Sequence, residues 1–297
     1  MSGVPAAVKT LGRHAFRGYG MLTAGRRPAP DFLLIGTKRG GTTTTYYSLL
    51  EHPNVMPQWP SARLVPKTND TKGVHYFDSN GTRSARWYRS HFETARARAA
   101  HAASVGGTVV TGDGSPYYLY HPLAAGRAAA MVPDAKLIVL LRHPIERAYS
   151  HFREQTRNGV ETLSWETALD AEAARTAGEV GRILADPSYR SFPHEQQSYV
   201  GQSEYAASLR RWFENFDRSQ FLIRRSEDLY ADPVTTLDEI WTFLGVGPYA
   251  GGSTMRWNAA PQAEMDPAIR RRLEAHFEPH VRDLEALLGR AMGWDPW

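Results

Sequence analysis

Two short apolar runs, each passing straight into a polar loop and then a helical pattern, constrain this chain more than any other feature. The first is Asp31-Phe32-Leu33-Leu34-Ile35-Gly36 and the second Lys136-Leu137-Ile138-Val139-Leu140-Leu141. Neither alternates polar with apolar residues, so each reads as a strand buried on both faces. After the first, Thr37 to Thr43 is polar and Gly-rich, and Thr44–Glu51 has helical spacing that stops before His52-Pro53. After the second, Arg142-His143-Pro144 leads into a predicted helix over Ile145–Arg157. The alternation continues with a strand at Thr108–Thr111, a crossover helix at Pro122–Met131, a strand at Phe221–Ile223 and a helix at Pro233–Leu244 ending at Gly245. Residues 267–290 form a last long helix. Strands alternating with helices imply an α/β fold in three layers, α/β/α, around a central parallel sheet. In such sheets ligands sit at the carboxyl ends of strands, which is where 37–43 and 142–150 fall.

The 297 residues are expected to form one domain over 31–297, preceded by a basic arm over 1–30. There is no cysteine, which excludes a disulfide framework, a Cys-ligated zinc site and a thiol nucleophile. No apolar run reaches the roughly 18 to 20 residues that span a bilayer. With no signal-peptide core at the N-terminus, the expectation is a cytoplasmic protein. In the arm, Val8, Leu11, Ala15, Tyr19 and Leu22 keep helical spacing with Lys9, Arg13 and Arg17 between them. A basic amphipathic helix of this kind suggests peripheral contact with an anionic membrane, although Gly12, Gly18 and Gly20 weaken it.

The formal net charge is +4, and 30 of the 35 basic residues are Arg. A GC-rich coding sequence produces the same bias, so position must decide whether the charge handles anions. In Gly36-Thr37-Lys38-Arg39-Gly40-Gly41-Thr42-Thr43 the glycines let backbone N–H groups turn inward, and the following helix start adds unpaired donors and a positive dipole end. Lys38, Arg39 and the hydroxyls of Thr42 and Thr43 add to this, so a phosphate is the expected guest. The spacing of Gly36 and Gly41 nearly matches a P-loop nucleotide-binding pattern. Thr42, however, stands where that pattern requires Lys. In the second cluster, Arg142 and the Ser150 hydroxyl are placed to grip a second phosphate.

In this order the clusters resemble those of the PAPS-dependent sulfotransferases, PAPS being 3′-phosphoadenosine 5′-phosphosulfate. Arg39-Gly40-Gly41-Thr42-Thr43 resembles the family's 5′-phosphosulfate loop, and Arg142 with Ser150 its 3′-phosphate motif. Lys72-Gly73-Val74-His75-Tyr76-Phe77-Asp78 with Trp87-Tyr88 looks like the Lys-Glu-x-His-Phe-Phe-Asp…Trp-Tyr segment of the heparan sulfate branch. Asp113-Gly114-Ser115-Pro116-Tyr117-Tyr118 is similar to that branch's Glu-Lys-Thr-Pro-Ser-Tyr segment, and similar landmarks continue to about residue 290.

The resemblance implies a sulfotransferase that uses PAPS, releases PAP and needs no metal. The cation on the leaving phosphate would be Arg39, with Lys38 beside it. Arg256 lies roughly where the family closes a loop over the 3′-phosphate, but without that branch's Lys-Gly-Arg form or flanking cysteines. The branch's usual base is replaced by Gly73. His75 is the expected substitute, because in an extended segment residues 73 and 75 share a face. Asp78 would orient it, and Asp113 is the rival base. Lys72, Asp78, Trp87, Asp113 and Tyr118 are the expected substrate-binding residues. The acceptor would be a hydroxyl of a carbohydrate, glycolipid or small natural product, and no nucleic-acid partner is implied. His194 and His276 show no metal-ligand spacing. No G-x-S-x-G nucleophile elbow marks a hydrolase. The alternatives are a P-loop small-molecule kinase and a non-catalytic PAP- or glycan-binding member of the fold.

Overall fold

The computed structural model describes residues 16–61, 72–249 and 265–294. Five parallel strands form one sheet: β1 (Phe32–Gly36), β2 (Val55–Met56), β3 (Val110–Asp113), β4 (Lys136–Leu141) and β5 (Phe221–Arg225), in the order β2-β3-β1-β4-β5. β1 lies between β3 and β4, with Phe32 opposite Gly112 on one side and Leu33 opposite Leu137 on the other. The chain leaves β1 for the β2–β3 side and later crosses back to β4. The crevice outside the carboxyl ends of β1 and β4 is therefore the switch point at which such sheets bind ligands.

Successive residues of the central strands feed two separate cores, as a period of two requires. Leu33, Ile35, Leu137, Val139 and Leu141 join Phe77, Tyr118, Leu209 and Trp212 on one face. Phe32, Leu34, Ile138 and Leu140 join Leu49, Leu237, Ile240 and Trp241 on the other. Both faces of the sheet are covered, which gives the expected three layers. A third cluster packs Ile145, Phe152, Trp165 and Tyr199 against Leu273 and Phe277 of the last helix.

The helix Pro233–Leu244 ends as expected before Gly245, and the last helix stops at Leu288, two residues short of the expected 290, before Gly289; both glycines have positive φ. The helix after β1 runs over Thr42–Leu49, two residues earlier than its apolar spacing suggested. β3 extends to Asp113 and β5 to Arg225. The short edge strand β2 and the helices Ala85–Arg89, Ala95–Val105, Trp165–Thr176, Glu179–Ala185 and Phe192–Gln196 were not anticipated.

Residues 16–30 lie against the domain. Phe16 packs edge-on against Trp59, Arg17 donates to Ser90 Oγ at 3.1 Å, and Ala24 and Arg27 are buried. Tyr19 and Leu22 are exposed, whereas Val8, Leu11 and Ala15 lie outside the described residues. No helix among the described residues is long and apolar enough to cross a membrane.

Candidate active site

The loop after β1 is shaped by close backbone approach. Thr37 N–H donates to Leu140 O of β4 at 2.8 Å, and Gly40 N–H to Thr37 O at 2.9 Å. A Cβ on Gly40 would sit 2.7 Å from Leu140 O, so only glycine fits. Gly41, at φ +83°, turns the chain into the helix Thr42–Leu49, and no side chain caps that helix. Its first N–H groups and its positive dipole end are therefore left for a ligand. Ser226 Oγ, just past β5, donates to Gly40 O at 2.9 Å and Leu141 O at 3.1 Å, tying the loop to its neighbours.

Cations converge on this helix start. Lys72 Nζ donates to Thr42 Oγ1 at 3.1 Å and Thr43 Oγ1 at 3.0 Å. Burial, reinforced by the Arg39 charge, lowers its pKa to about 8 against the pull of Asp113 and Glu154. Lys72, an expected substrate-binding residue, contacts the threonine hydroxyls that open the helix after β1. Its neighbourhood comes from Gln58, whose Nε2 bonds Lys72 O at 2.9 Å and Gly112 O at 3.0 Å. Lys38 Nζ points to Gln196 Oε1 at 2.8 Å and Glu195 O at 3.2 Å, and burial lowers its pKa.

Arg39, in the left-handed region at φ +70°, sends Nε to Ser150 Oγ at 3.1 Å and Nη1 to Glu154 Oε1 at 2.5 Å. Arg142 Nη1 reaches Arg39 O at 3.3 Å. The two sequence clusters thus form one continuous basic surface, joined through Arg39. Arg147 supports it from below: fully buried, it donates to Tyr199 O and Ser203 Oγ and approaches Lys38 O at 3.5 Å. Arg256 lies outside the described residues.

The segment after Lys72 is a turn, not an extended strand. His75 has φ +52°, a left-handed conformation uncommon for a residue with a side chain. Its N–H donates to Ser115 Oγ at 3.0 Å, and Asn80 N–H returns to His75 O at 2.7 Å. The shared-face argument for residues 73 and 75 therefore fails. A Cβ on Gly73 would meet Gly114 O and Ser115 Oγ, each at 2.8 Å, so this backbone has no room for a carboxylate there.

His75 Nδ1 lies 2.9 Å from Asp78 Oδ2, and the Asp78 side chain is fully buried while the imidazole is 38% exposed. Burial lowers the His75 pKa, but the charge and hydrogen bond of Asp78 outweigh it, and the net shift is upward. Glu195, missed in the sequence, adds its charge to both Lys38 and His75. Burial raises its own pKa, opposed by the charge of Lys38. The signal that could have found Glu195 is weak, a lone carboxylate in Pro193-His194-Glu195-Gln196-Gln197.

Asp113 and Tyr118 are fully buried and form the floor of the site, not a surface that meets substrate. Asp113 Oδ1 accepts from Val74 N–H at 2.9 Å and Ser115 Oγ at 2.7 Å; Oδ2 accepts from Tyr88 at 3.2 Å and Tyr118 at 2.8 Å. With both oxygens engaged and no exposure, Asp113 is placed as a scaffold for the 72–78 turn and not as a base. Trp87 is partly exposed beside Tyr76 and His91, with Arg83 over its ring.

Comparisons with known proteins agree with this geometry. A profile described as the sulfotransferase family matches residues 30–249. The mouse protein named bifunctional heparan sulfate N-deacetylase/N-sulfotransferase 4 is 32% identical over 232 residues, covering 74% of this chain and 23% of that protein. This chain thus spans about a quarter of the length of that relative. The membrane-associated sulfotransferase kil1 of Dictyostelium discoideum is 25% identical over 331 residues, covering 89% of this chain and 66% of that protein. A crystal structure of a sulfotransferase from Alicyclobacillus acidocaldarius superposes with a TM-score of 0.62 at 29% identity, covering 89% of this chain and 98% of that one. With three quarters of its length inside the family profile, and with an uncapped helix start ringed by cations at the switch point of a parallel sheet, this chain belongs to the sulfotransferase family.

Proposed function

We propose that the chain is a PAPS-dependent sulfotransferase whose acceptor is a sugar hydroxyl, with His75 as general base. One observation carries the reading: a His–Asp pair, with the imidazole open to solvent, stands beside a cation-ringed, uncapped helix N-terminus. The residues present fit a doubly phosphorylated nucleotide. Gly40 leaves the backbone bare where a Cβ has no room, and the basic surface continues from Lys72 to Arg142. When bound, PAPS supplies the sulfuryl group.

Thr42, Thr43, Lys72 and the first N–H groups of their helix would hold the 5′-phosphosulfate, and Arg142 with Ser150 the 3′-phosphate. Arg39 and Lys38 add fixed positive charge where the bridging oxygen gains negative charge, the kind of preorganised stabilisation that lowers such barriers. The Arg39 guanidinium serves as a fixed charge. Asp78 accepts from His75 Nδ1–H, which fixes the tautomer and leaves the Nε2 lone pair to take the acceptor's proton. The name of the mouse relative specifies heparan sulfate, which favours a carbohydrate acceptor.

The test uses purified full-length protein without added metal. Saturable PAP binding and transfer of radiolabelled sulfate from PAPS to sugar acceptors are expected. Magnesium-dependent phosphoryl transfer from ATP without PAP binding would replace this reading with a kinase. PAP binding with no transfer to any acceptor would favour a non-catalytic binding protein.

A further inference from the structure

The expectation of no metal-ligand spacing at His276 overlooks His280, four residues on, and the fold brings a carboxylate to the pair. The helix Pro267–Leu288 carries His276 and His280, one turn apart and so on one face. Glu204, immediately before the helix Tyr205–Phe213, approaches that face from a distant part of the chain. Glu204 Oε1 lies 3.0 Å from His276 Nε2 and 3.7 Å from His280 Nε2. The three ligand atoms lie within 4.8 Å of one another, the one such group among the described residues.

We propose that Glu204, His276 and His280 form a site for a divalent transition metal of the zinc class. Two imidazoles and a carboxylate suit such ions, and magnesium or calcium would call for an all-oxygen shell. Metal–ligand bonds of about 2.0 to 2.2 Å at tetrahedral angles put ligand atoms roughly 3.4 Å apart. The observed 3.0 and 3.7 Å bracket that separation. Both ring nitrogens face the same carboxylate oxygen, so one ion among the three would take the place of the His276–Glu204 hydrogen bond.

The neighbouring charges are already matched. Arg272, one turn before His276, pairs with Asp170 at 2.6 Å; Arg210 pairs with Asp283; Arg282 pairs with Glu278. Glu172 accepts from the N–H groups of Val200 and Gly201 and is not free to ligate. The three ligands are each one-third to two-fifths exposed, so an ion has an entry path and water can fill the fourth position. Glu204 and His276 also line a cavity of about 400 Å³ with Tyr120 and Ser198. An occupied site would pin the last helix to the segment carrying Tyr205, whose hydroxyl donates to Arg142 O at 2.7 Å.

The test takes tag-free, chelator-treated full-length protein and titrates it with cobalt(II), then with zinc. A visible tetrahedral cobalt band saturating at one equivalent is expected, with displacement by zinc and a zinc-dependent rise in Tm. His276→Gln, His280→Gln and Glu204→Gln should each weaken binding at least about 10-fold and remove the Tm rise. His101→Gln, at a half-buried histidine on another helix that bonds Pro53 O, should change neither. Absence of saturable binding by folded wild-type protein would overturn the proposal. So would unchanged binding by a folded His276→Gln/His280→Gln variant. Circular dichroism of each metal-free variant establishes that it is folded.

Discussion

The loop after β1 and the turn at His75 hold their charged groups by different means. In the loop, Lys38 and Lys72 are held mainly by neutral partners: a glutamine, a carbonyl and two threonine hydroxyls. Arg39 divides its contacts between Ser150 and Glu154. Glu154 pairs directly with Arg39 and the Glu195 charge reaches Lys38, but the direct partners of both lysines are neutral. In the turn, His75 faces a buried carboxylate that balances the charge it gains on protonation. Under the proposed function the contrast separates binding from proton transfer: the loop would hold the anion, and the His75 turn would take the acceptor's proton.

The sharpest way to break that division is His75→Ala. Turnover should fall by about 10²- to 10⁴-fold, the usual worth of a general base, while PAP affinity by titration stays within about twofold of wild type. Retained turnover would move the base to another carboxylate, and Glu195, whose charge reaches His75, is the candidate. The pH profile adds a sign. Only neutral His75 can take a proton, so kcat/KM should rise with pH through a midpoint above His75's usual value of about 6.5. Asp78→Asn removes the charge that raises this pKa. Its rising limb should shift to lower pH, with a lower plateau because the ring loses its orienting partner.

Asp113→Ala tests whether the floor of the turn is structural. Removing the carboxylate leaves the Tyr88, Tyr118 and Ser115 hydroxyls and the Val74 N–H without their acceptor inside the protein. Unpaired buried groups cost about 1–3 kcal/mol each, so a total loss of at least about 3 kcal/mol is expected in denaturant unfolding. A variant as stable as wild type but inactive would instead make Asp113 a chemical participant.

Arg142→Ala probes the far end of the basic surface. If Arg142 grips the 3′-phosphate, PAP affinity should fall about 10- to 100-fold, the range of one charge-assisted hydrogen bond, while affinity for adenosine 5′-phosphate stays unchanged. Equal losses for both nucleotides would place Arg142 under the 5′ end or in the loop's support.

The same contrast explains what could be read from the sequence. The loop is contiguous, and its strand, paired glycines and cations fix one another within eight residues, so its position was legible. Lys136–Leu141 and Pro233–Leu244 were equally plain, because continuous apolar runs and a glycine stop are local signals. Lys72 reaches the loop from about 30 residues away and Glu195 and Gln196 from more than 150, and no spacing encodes that. The 73–75 face argument failed because it assumed an extended chain, whereas Asn80 and Ser115 close a turn with His75 in a left-handed conformation. His276 and Glu204 illustrate the same limit. Half of that cluster, the His-x-x-x-His spacing, was present in the sequence; the carboxylate arrives only through packing.

The smallest expected effect concerns the carboxylate that blurs the contrast. Glu154 pairs with Arg39 and lies within 4.0 Å of Arg157, and its side chain is only 22% exposed. It places a negative charge beside a surface otherwise suited to anions. Glu154→Gln removes that charge but keeps a hydrogen-bond acceptor for Arg39. A partly exposed pair contributes about 0.2–1 kcal/mol, so PAP affinity should rise by about 1.4- to fivefold. Because the effect is electrostatic, it should shrink as salt is raised toward about 1 M, where the screening length is near 3 Å. A fall in affinity at every salt concentration would mean that Glu154 holds Arg39 in its binding position, and that the loop, like the turn, depends on a carboxylate partner.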